Sequence, residues 1–275
     1  MTTKKSPVVY QTTHPHSKVI TSAFAQGCKG RIVPSQAGLL EGDAAFYGIL
    51  RGTGEILKEC SLRNRDYYYI DHGYFNAGHY DGYYRVVRND MQLNGEVLGY
   101  TPEEIPFAPT DRWNKLKIKM KPWRKSGNHI VVCPLSQFVG DFLGINTELW
   151  LRETIRELEH YTDRSIFIKE KDTDMPIEEA VKDAHAVVAY NSNALVDAVI
   201  EGIPVYALGP SSTDPIARKS LRDIENPIME DREKWACALS YGQWTLDEIR
   251  MGVYWEHCSR SNLLEDMLKE KKNES

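Results

Sequence analysis

The chain has 275 residues, 41% of them hydrophobic and 27% charged, with a formal net charge of -5. This is ordinary globular composition, long enough for two small α/β lobes or one large domain. The negative balance excludes a global pull on nucleic acid, so any polyanion site has to be local. The N-terminal stretch MTTKKSPVVYQTTHPHS lacks the apolar core of a signal peptide, and no apolar run reaches the roughly 18 residues of a membrane span. The cysteines Cys28, Cys60, Cys133, Cys237 and Cys258 are scattered with no C-x-x-C pair. A reduced, cytoplasmic protein without a zinc or redox motif is expected (host cytoplasm, if the chain is phage-encoded).

In chain order, Val8–Tyr10 reads as a first strand. His16 to Gln26 reads as a helix with Val19, Ile20, Ala23 and Phe24 on one face, ending at Gly27. Ala44–Leu50 is a buried-strand pattern, Arg51-Gly52-Thr53-Gly54 a turn, Glu55 to Arg63 a helix, and Tyr67–Asp71 a strand that stops at the Gly-rich DHGYFNAGHYDGYY. Residues 1–71 thus read βαβαβ, a small open parallel sheet. Met91 to Pro109 carries turn signals and reads as a connection. A second doubly wound series follows: strand Ile130–Cys133, helix Glu148–Tyr161, strand Ser165–Lys169, helix Pro176–Asp183, strand Ala186–Ala189, a helix from Ala194 to Ile200, and strand Val205–Leu208. Asp231–Leu239, Leu246–Met251 and Val253–Lys269 read as closing helices before a frayed KEKKNES tail. The expected division is a first lobe at 1–110, a basic linker at 111–128 and a second lobe at 129–275.

The segment Ala186 to Ser212, AVVAYNSNALVDAVIEGIPVYALGPSS, carries the most information. An apolar strand is followed at once by Asn191, Ser192 and Asn193, each a good helix N-cap. The helix ends at Gly202, and Pro204 opens the next strand, where its missing N–H is tolerated. Such a turn aims backbone N–H groups, hydroxyls and amides at the carboxyl end of a parallel sheet, where α/β proteins bind phosphates and nucleotides.

Ser192, Asp197, Ala198, Gly202, Pro204 and Val205 spell S-x-x-x-x-(E/D)-A-x-x-x-G-x-P-V. This resembles the donor-binding segment in the C-terminal lobe of GT-B-fold glycosyltransferases, including capsule and lipopolysaccharide types. The resemblance implies an α/β fold of two Rossmann-like lobes, a compact GT-B-like molecule. It implies a nucleotide sugar as co-substrate, and no tightly bound cofactor or metal. In that family the turn faces the donor pyrophosphate and the acidic residue, usually Glu, approaches the ribose; Asp197 is one methylene shorter. An ordinary Rossmann-like unit without sugar chemistry carries the same pattern.

Other residues fit this reading. Lys169 and Lys171 close the second strand of the later lobe and could neutralise a diphosphate leaving group. Ser136 after the first strand, and Ser211 and Ser212 after the fourth, are candidate phosphate or sugar contacts, or plain turn residues. Inverting transfer needs a base for the acceptor hydroxyl. In inverting GT-B enzymes it usually comes from the N-terminal lobe, which points first to Asp71 and then to His72, both at a strand end. His14 and His16 follow the first strand and could face the same cleft. The run Arg112 to Lys125 is the one basic stretch. Lys115, Lys117, Lys119 and Lys121 alternate at period two beside Trp113 and Trp123. Cations tracking phosphates beside stacking aromatics suit DNA as a partner, while a solvated edge strand guarded by lysines looks the same. Tyr67, Tyr68, Tyr69, Tyr74, Tyr80, Tyr83 and Tyr84 with Gly73, Gly78 and Gly82 suggest a mobile binding loop, with Tyr74 among the acceptor contacts. The basic run favours hydroxymethylated pyrimidine in DNA as acceptor, as for the small GT-B enzymes of tailed phages. Capsule or lipopolysaccharide is the second choice, and a nucleotide-sugar epimerase or a non-catalytic nucleotide binder are the alternatives.

Overall fold

The computed structural model describes residues 5–93, 108–171 and 175–258. The first elements are β1 (Val8–Gln11), α1 (Pro15–Cys28), β2 (Arg31–Pro34), β3 (Ala44–Tyr47), α2 (Thr53–Leu62), β4 (Tyr67–His72) and β5 (Tyr83–Arg88). Then come α3 (Asp111–Leu116), β6 (His129–Cys133), α4 (Gln137–Leu143), α5 (Thr147–Tyr161), β7 (Ser165–Ile168), α6 (Ile177–Ala180), β8 (Ala184–Ala189), α7 (Ala194–Ile200), β9 (Val205–Ala207) and α8 (Glu233–Ser240). The chain ends its described part with β10 (Gln243–Thr245), α9 (Leu246–Arg250) and a helical turn at residues 253–258. No described helix is long and apolar enough to cross a membrane.

The fold is α/β, in two compact units. One takes the chain up to Met91 and again from Tyr241, the other spans Gln92–Ser240. The second lobe is expected from sequence to run on to residue 275, whereas the described residues from Tyr241 group with the first unit. β10 pairs antiparallel with β5, Trp244 opposite Tyr84, and the buried Trp244, Ile249 and Tyr254 join the first unit's core. A three-residue strand has no periodicity to read, so its destination is set by the buried faces it completes.

The first unit's sheet has the order β10-β5-β4-β3-β1-β2. β2, β1, β3 and β4 run parallel, and β5 turns back on β4. The βαβαβ expectation omits β2, a mostly exposed edge strand ending in Pro34, and β5, whose first two residues, Tyr83 and Tyr84, fall in the stretch expected to be a loop. Of the tyrosines expected in a binding loop, Tyr67, Tyr68 and Tyr69 are buried on the inner strand β4, and Tyr74 and Tyr84 are buried beyond it, while Tyr80 is exposed. Ile20 and Phe24 of α1 pack on Tyr68 and Ile70 of β4, at about 1.5–3 kcal/mol for each fully buried side chain.

Gly27 does not end α1. The helix runs on to Cys28, and Lys29 takes the left-handed cap at φ 55°. A Cβ at Gly27 would stand 2.0 Å from the Ile249 carbonyl oxygen, so this glycine lets α1 and α9 touch. Gly27→Ala is expected to cost about 2 kcal/mol through overpacking and to lower the thermal midpoint. An unchanged midpoint would refute this contact.

The second unit's sheet, order β7-β6-β8-β9, is parallel throughout. β8 is buried along its length and β6 along all but its first residue, reading as the near-continuous apolar runs of a parallel sheet. The chain moves from β6 outward to β7, then crosses back to β8 and on to β9, which makes the gap between the ends of β6 and β8 a topological switch point.

The basic run, for which a solvated edge strand is the alternative reading, forms no strand. Lys115 lies in α3, and Lys117 ends that helix at φ 53°. Beyond it Ile118 and Met120 turn half-inward while Lys117, Lys119 and Lys121 stay exposed, so the period-two face holds there without a strand partner. The segment is a strap along the end of α7. Lys121 N–H donates to the Ile200 carbonyl at 2.9 Å and Arg124 N–H to the Gly202 carbonyl at 2.7 Å.

Candidate functional site

In the second unit, the elements that position the expected donor residues are β6, β7 and β8. Ser136 stands directly before α4, half-buried, with no capping bond from its hydroxyl. Ser192 closes the turn after β8, its Oγ accepting from the Ala194 N–H at 3.2 Å. Asn191 holds the turn through its carbonyl, which accepts from Gln92 Nε2 at 3.3 Å. Asn193 already has helical geometry, φ -61° and ψ -20°, and makes no side-chain cap. Lys169 continues β7 by donating its N–H to the Val132 carbonyl at 2.9 Å, and its Nζ donates to the Glu170 carbonyl at 2.8 Å. Lys171 is exposed at the edge of the described residues.

The ends of these strands share one electrostatic environment. Burial pushes the Cys133 thiol at the end of β6 up to about 12, with Lys169 pulling it down and Asp197 pushing it up. Asp197 itself is raised to about 7, first by burial and then by Glu178 and Glu201. Near neutral pH its carboxyl is therefore part protonated, able both to donate and to accept a hydrogen bond.

Ser211 and Ser212 are turn residues here, not surface contacts. Ser211 is buried, its Oγ 3.0 Å from Thr213 Oγ1, while the Ser212 carbonyl accepts from Trp235 Nε1 at 2.7 Å. The strap's aromatic is also committed. The Arg232 guanidinium lies 4.1 Å from the Trp123 ring centroid and donates to the Val199 carbonyl at 2.6 Å and to the Lys121 carbonyl. Trp123 Nε1 donates to the Glu230 carbonyl at 3.0 Å, and Lys121 pairs with Glu201. Lys117 and Lys119 project from the strap without such a role being visible.

In the first unit, the carboxyl ends of β1, β3 and β4 lie side by side. They bring together His16 at the start of α1, Tyr47 at the end of β3, and Asp71 and His72 at the end of β4. Alternation along β4 sends Asp71 and His72 to opposite faces. Asp71 faces its cross-strand partner Arg85. Its Oδ2 accepts from Arg85 Nη2 at 3.0 Å and from the Tyr69 hydroxyl at 2.6 Å, and its Oδ1 accepts from the His72 N–H at 2.8 Å. Burial alone would raise this carboxyl; Arg85, the Tyr69 hydroxyl and the His72 N–H together hold it below the ordinary value. Arg85 is itself buried and lies 5.5 Å from the Tyr74 ring centroid. Asp71 thus belongs to a structural ion pair with Arg85, and Tyr74 packs as core.

His72 is placed differently. Its Nε2 is 3.1 Å from the Tyr47 hydroxyl, and its ring stacks 5.6 Å from that of His16. His16 Nε2 is 3.4 Å from the Tyr84 hydroxyl. His79, in the loop after β4, brings its ring to 4.9 Å from His16 and 5.3 Å from His72. Burial lowers the pKa of His16, and His72, His79 and His14 lower it further, so its imidazole is neutral at physiological pH. His14 is exposed and stands outside this ring group. Sequence reasoning missed Tyr47, His79 and Arg85. The one available signal was the pair of histidine-bearing loops, THPHS and DHGYFNAGH, which parallel pairing of β1, β3 and β4 brings to the same end.

No protein-family model matches the chain, and no curated protein matches it. Among solved structures it is similar to KpsC of Thermosulfurimonas dismutans described as a beta Kdo 2,4 transferase, at 10% identity, covering 86% of this chain and 90% of that one, with a TM-score of 0.48. It is similar also to KpsC of the same organism described as a beta Kdo 2,7 transferase, at 12% identity over 90% of this chain and 98% of that one, again with a TM-score of 0.48. At this identity neither likeness extends to residues or substrates. Residue roles rest on the switch point of the second unit and the histidine–tyrosine group of the first.

Proposed function

We propose that the protein is a glycosyltransferase using a nucleotide-sugar donor. The observation that carries this reading is the switch point of the all-parallel second sheet, where Ser136, Lys169 and the Asn191–Asn193 turn stand at the ends of β6, β7 and β8. Doubly wound sheets hold phosphorylated ligands at such a point. Lys169, with Lys171 beside it, would meet the charge that builds on the departing nucleotide phosphate. Asp197, part protonated near neutral pH, is suited to a donor hydroxyl, although the glutamate of the family pattern would reach further. In the first unit His72 takes the place expected for Asp71 as the group that accepts the acceptor's proton. Asp71 is held ionised by Arg85 and Tyr69, whereas His72 is oriented by the Tyr47 hydroxyl.

A saccharide hydroxyl fits the acceptor better than DNA. Trp123 and Lys121 serve the strap, which leaves Lys117 and Lys119 as its outward cations. The test is nucleotide release from a panel of nucleotide sugars, with oligosaccharide or hydroxymethylated DNA as acceptor. Lys169→Ala is expected to lower turnover about 100-fold, as loss of one preorganised charge donor does, with an unchanged circular dichroism spectrum. Absence of release from every donor, or wild-type turnover in the variant, would overturn the reading. A sugar-sized mass gain on DNA would restore the nucleic-acid acceptor.

A further inference from the structure

Three imidazoles from three separate segments of the first unit converge. One ligand-capable nitrogen from each of His16, His72 and His79 lies within 4.8 Å of the other two. They come from the first turn of α1, the end of β4 and the loop that follows it. The loop is built to hold His79 in place. The Tyr80 N–H donates to the Tyr84 hydroxyl at 3.0 Å, and a Cβ at Gly82 would fall 2.1 Å from the Gly78 nitrogen, so the loop closes on itself through glycine.

One atom of the group is in an unusual state. His16 is buried, with 5% of its surface exposed, and its Nδ1 has no hydrogen-bond partner. Buried polar atoms are nearly always satisfied, and a specific exception calls for an explanation. The other nitrogen of His16, and Nε2 of His72, are each approached by a tyrosine hydroxyl, at 3.4 and 3.1 Å. That is the arrangement of a metal-binding histidine, whose second nitrogen is oriented by an outer partner.

We infer that His16, His72 and His79 form a binding site for one divalent transition-metal cation of the zinc class, with a fourth position open. Imidazole donors suit zinc, cobalt, nickel and copper and do not suit magnesium or calcium. Three protein ligands and an open position are the pattern of a reactive zinc site; a closed structural site has four. Ligand nitrogens around a tetrahedral cation stand about 3.4 Å apart, given zinc–nitrogen bonds near 2.0–2.1 Å. The group needs to contract by little more than an ångström, and exposed His79 can supply that by side-chain rotation. The site rests on the first unit alone and holds whether or not the protein transfers a sugar. A cation here would occupy the nitrogen His72 needs as a proton acceptor, and the hydroxide left when a cation-bound water gives up its proton would take over that task.

The test uses the full chain and the metal alone. Cobalt(II) is titrated into reduced, metal-stripped protein and followed by its visible absorption, then displaced with zinc. One cation per chain is expected, with a visible band of tetrahedral nitrogen ligation and no thiolate charge-transfer band. Magnesium at the same concentration should leave the spectrum unchanged. His79→Ala should weaken binding by more than about tenfold, since even loss of an outer-shell partner costs that much. Exposed His14 lies outside the group, and His14→Ala should bind as the parent does. His79 is exposed in its loop, so its variant keeps the fold, which circular dichroism checks. Failure to bind one equivalent, a thiolate band, or equal affinity in His79→Ala would overturn the site. The absence of sugar transfer would leave it standing.

Discussion

Asp71→Asn lowers the stability of the first unit by about 3 kcal/mol, the scale set by breaking a buried ion pair from one side. The reason is Arg85. Its side chain is only 9% exposed, and Asp71 is the carboxylate it faces across β4 and β5. The amide removes the countercharge and leaves one oxygen where Arg85, the Tyr69 hydroxyl and the His72 N–H now share two. The effect has a defined pH dependence. The folded carboxyl titrates below its ordinary value of 3.8, so its contribution is fully present above that pH and is lost as pH falls through the folded value. Denaturant unfolding of parent and variant should show the full difference at pH 7 and a smaller one at pH 3. Equal stabilities at pH 7 would mean the pair contributes nothing. The same variant bears on mechanism. Measured below its lowered unfolding midpoint, folded Asp71→Asn should keep turning over, because His72 is the proton acceptor in the proposed reaction. Lost turnover in a folded variant would return that role to Asp71.

Gly202→Ala destabilises the second unit by about 2–4 kcal/mol, combining a residue forced to positive φ with overpacking against a fixed backbone. Gly202 ends the helical part of the donor-type segment at φ 79°, and a Cβ there would sit 2.2 Å from the Pro122 carbonyl oxygen and 2.9 Å from that of Lys121. The obstacle is the strap, which Arg232 clamps from its other side through the Lys121 and Val199 carbonyls. Main chain cannot swing aside as a flexible side-chain tip can, so the strain spreads into α7 and the turn before it. Thermal unfolding should show the loss, and affinity for a nucleotide-sugar donor should fall with it. A variant as stable as the parent would mean that the strap yields and is not a fixed part of the unit.

These residues change the sense of the basic run. Its lysines read from sequence as a polyanion track. Lys121 and Trp123 instead tie the strap down, and Arg124 donates to the Val181 and Ala184 carbonyls at 2.9 and 3.0 Å. Part of the run's charge is thus used within the unit, while Lys117 and Lys119 stay exposed.

The sequence by itself determined the repeated strand–helix pattern. Apolar runs such as Ala186–Ala189 leave no other place than an inner parallel strand, and α5 shows itself by its amphipathic face. It also determined which end of the second sheet carries the polar turn, because a strand followed at once by Asn-Ser-Asn fixes the polarity of that end. Tertiary structure decided the rest. β2 is an exposed edge strand, and three-residue β10 finds its partner β5 far back along the chain. Gly27 and Gly202 look alike as helix-ending glycines, yet only Gly202 takes the left-handed conformation, while Gly27 makes room for a neighbouring helix. Asp71 and His72 are adjacent in sequence and equal as candidates. One is neutralised by Arg85 and the other joins His16 and His79, since a strand sends successive side chains to opposite faces and only the fold determines what waits on each.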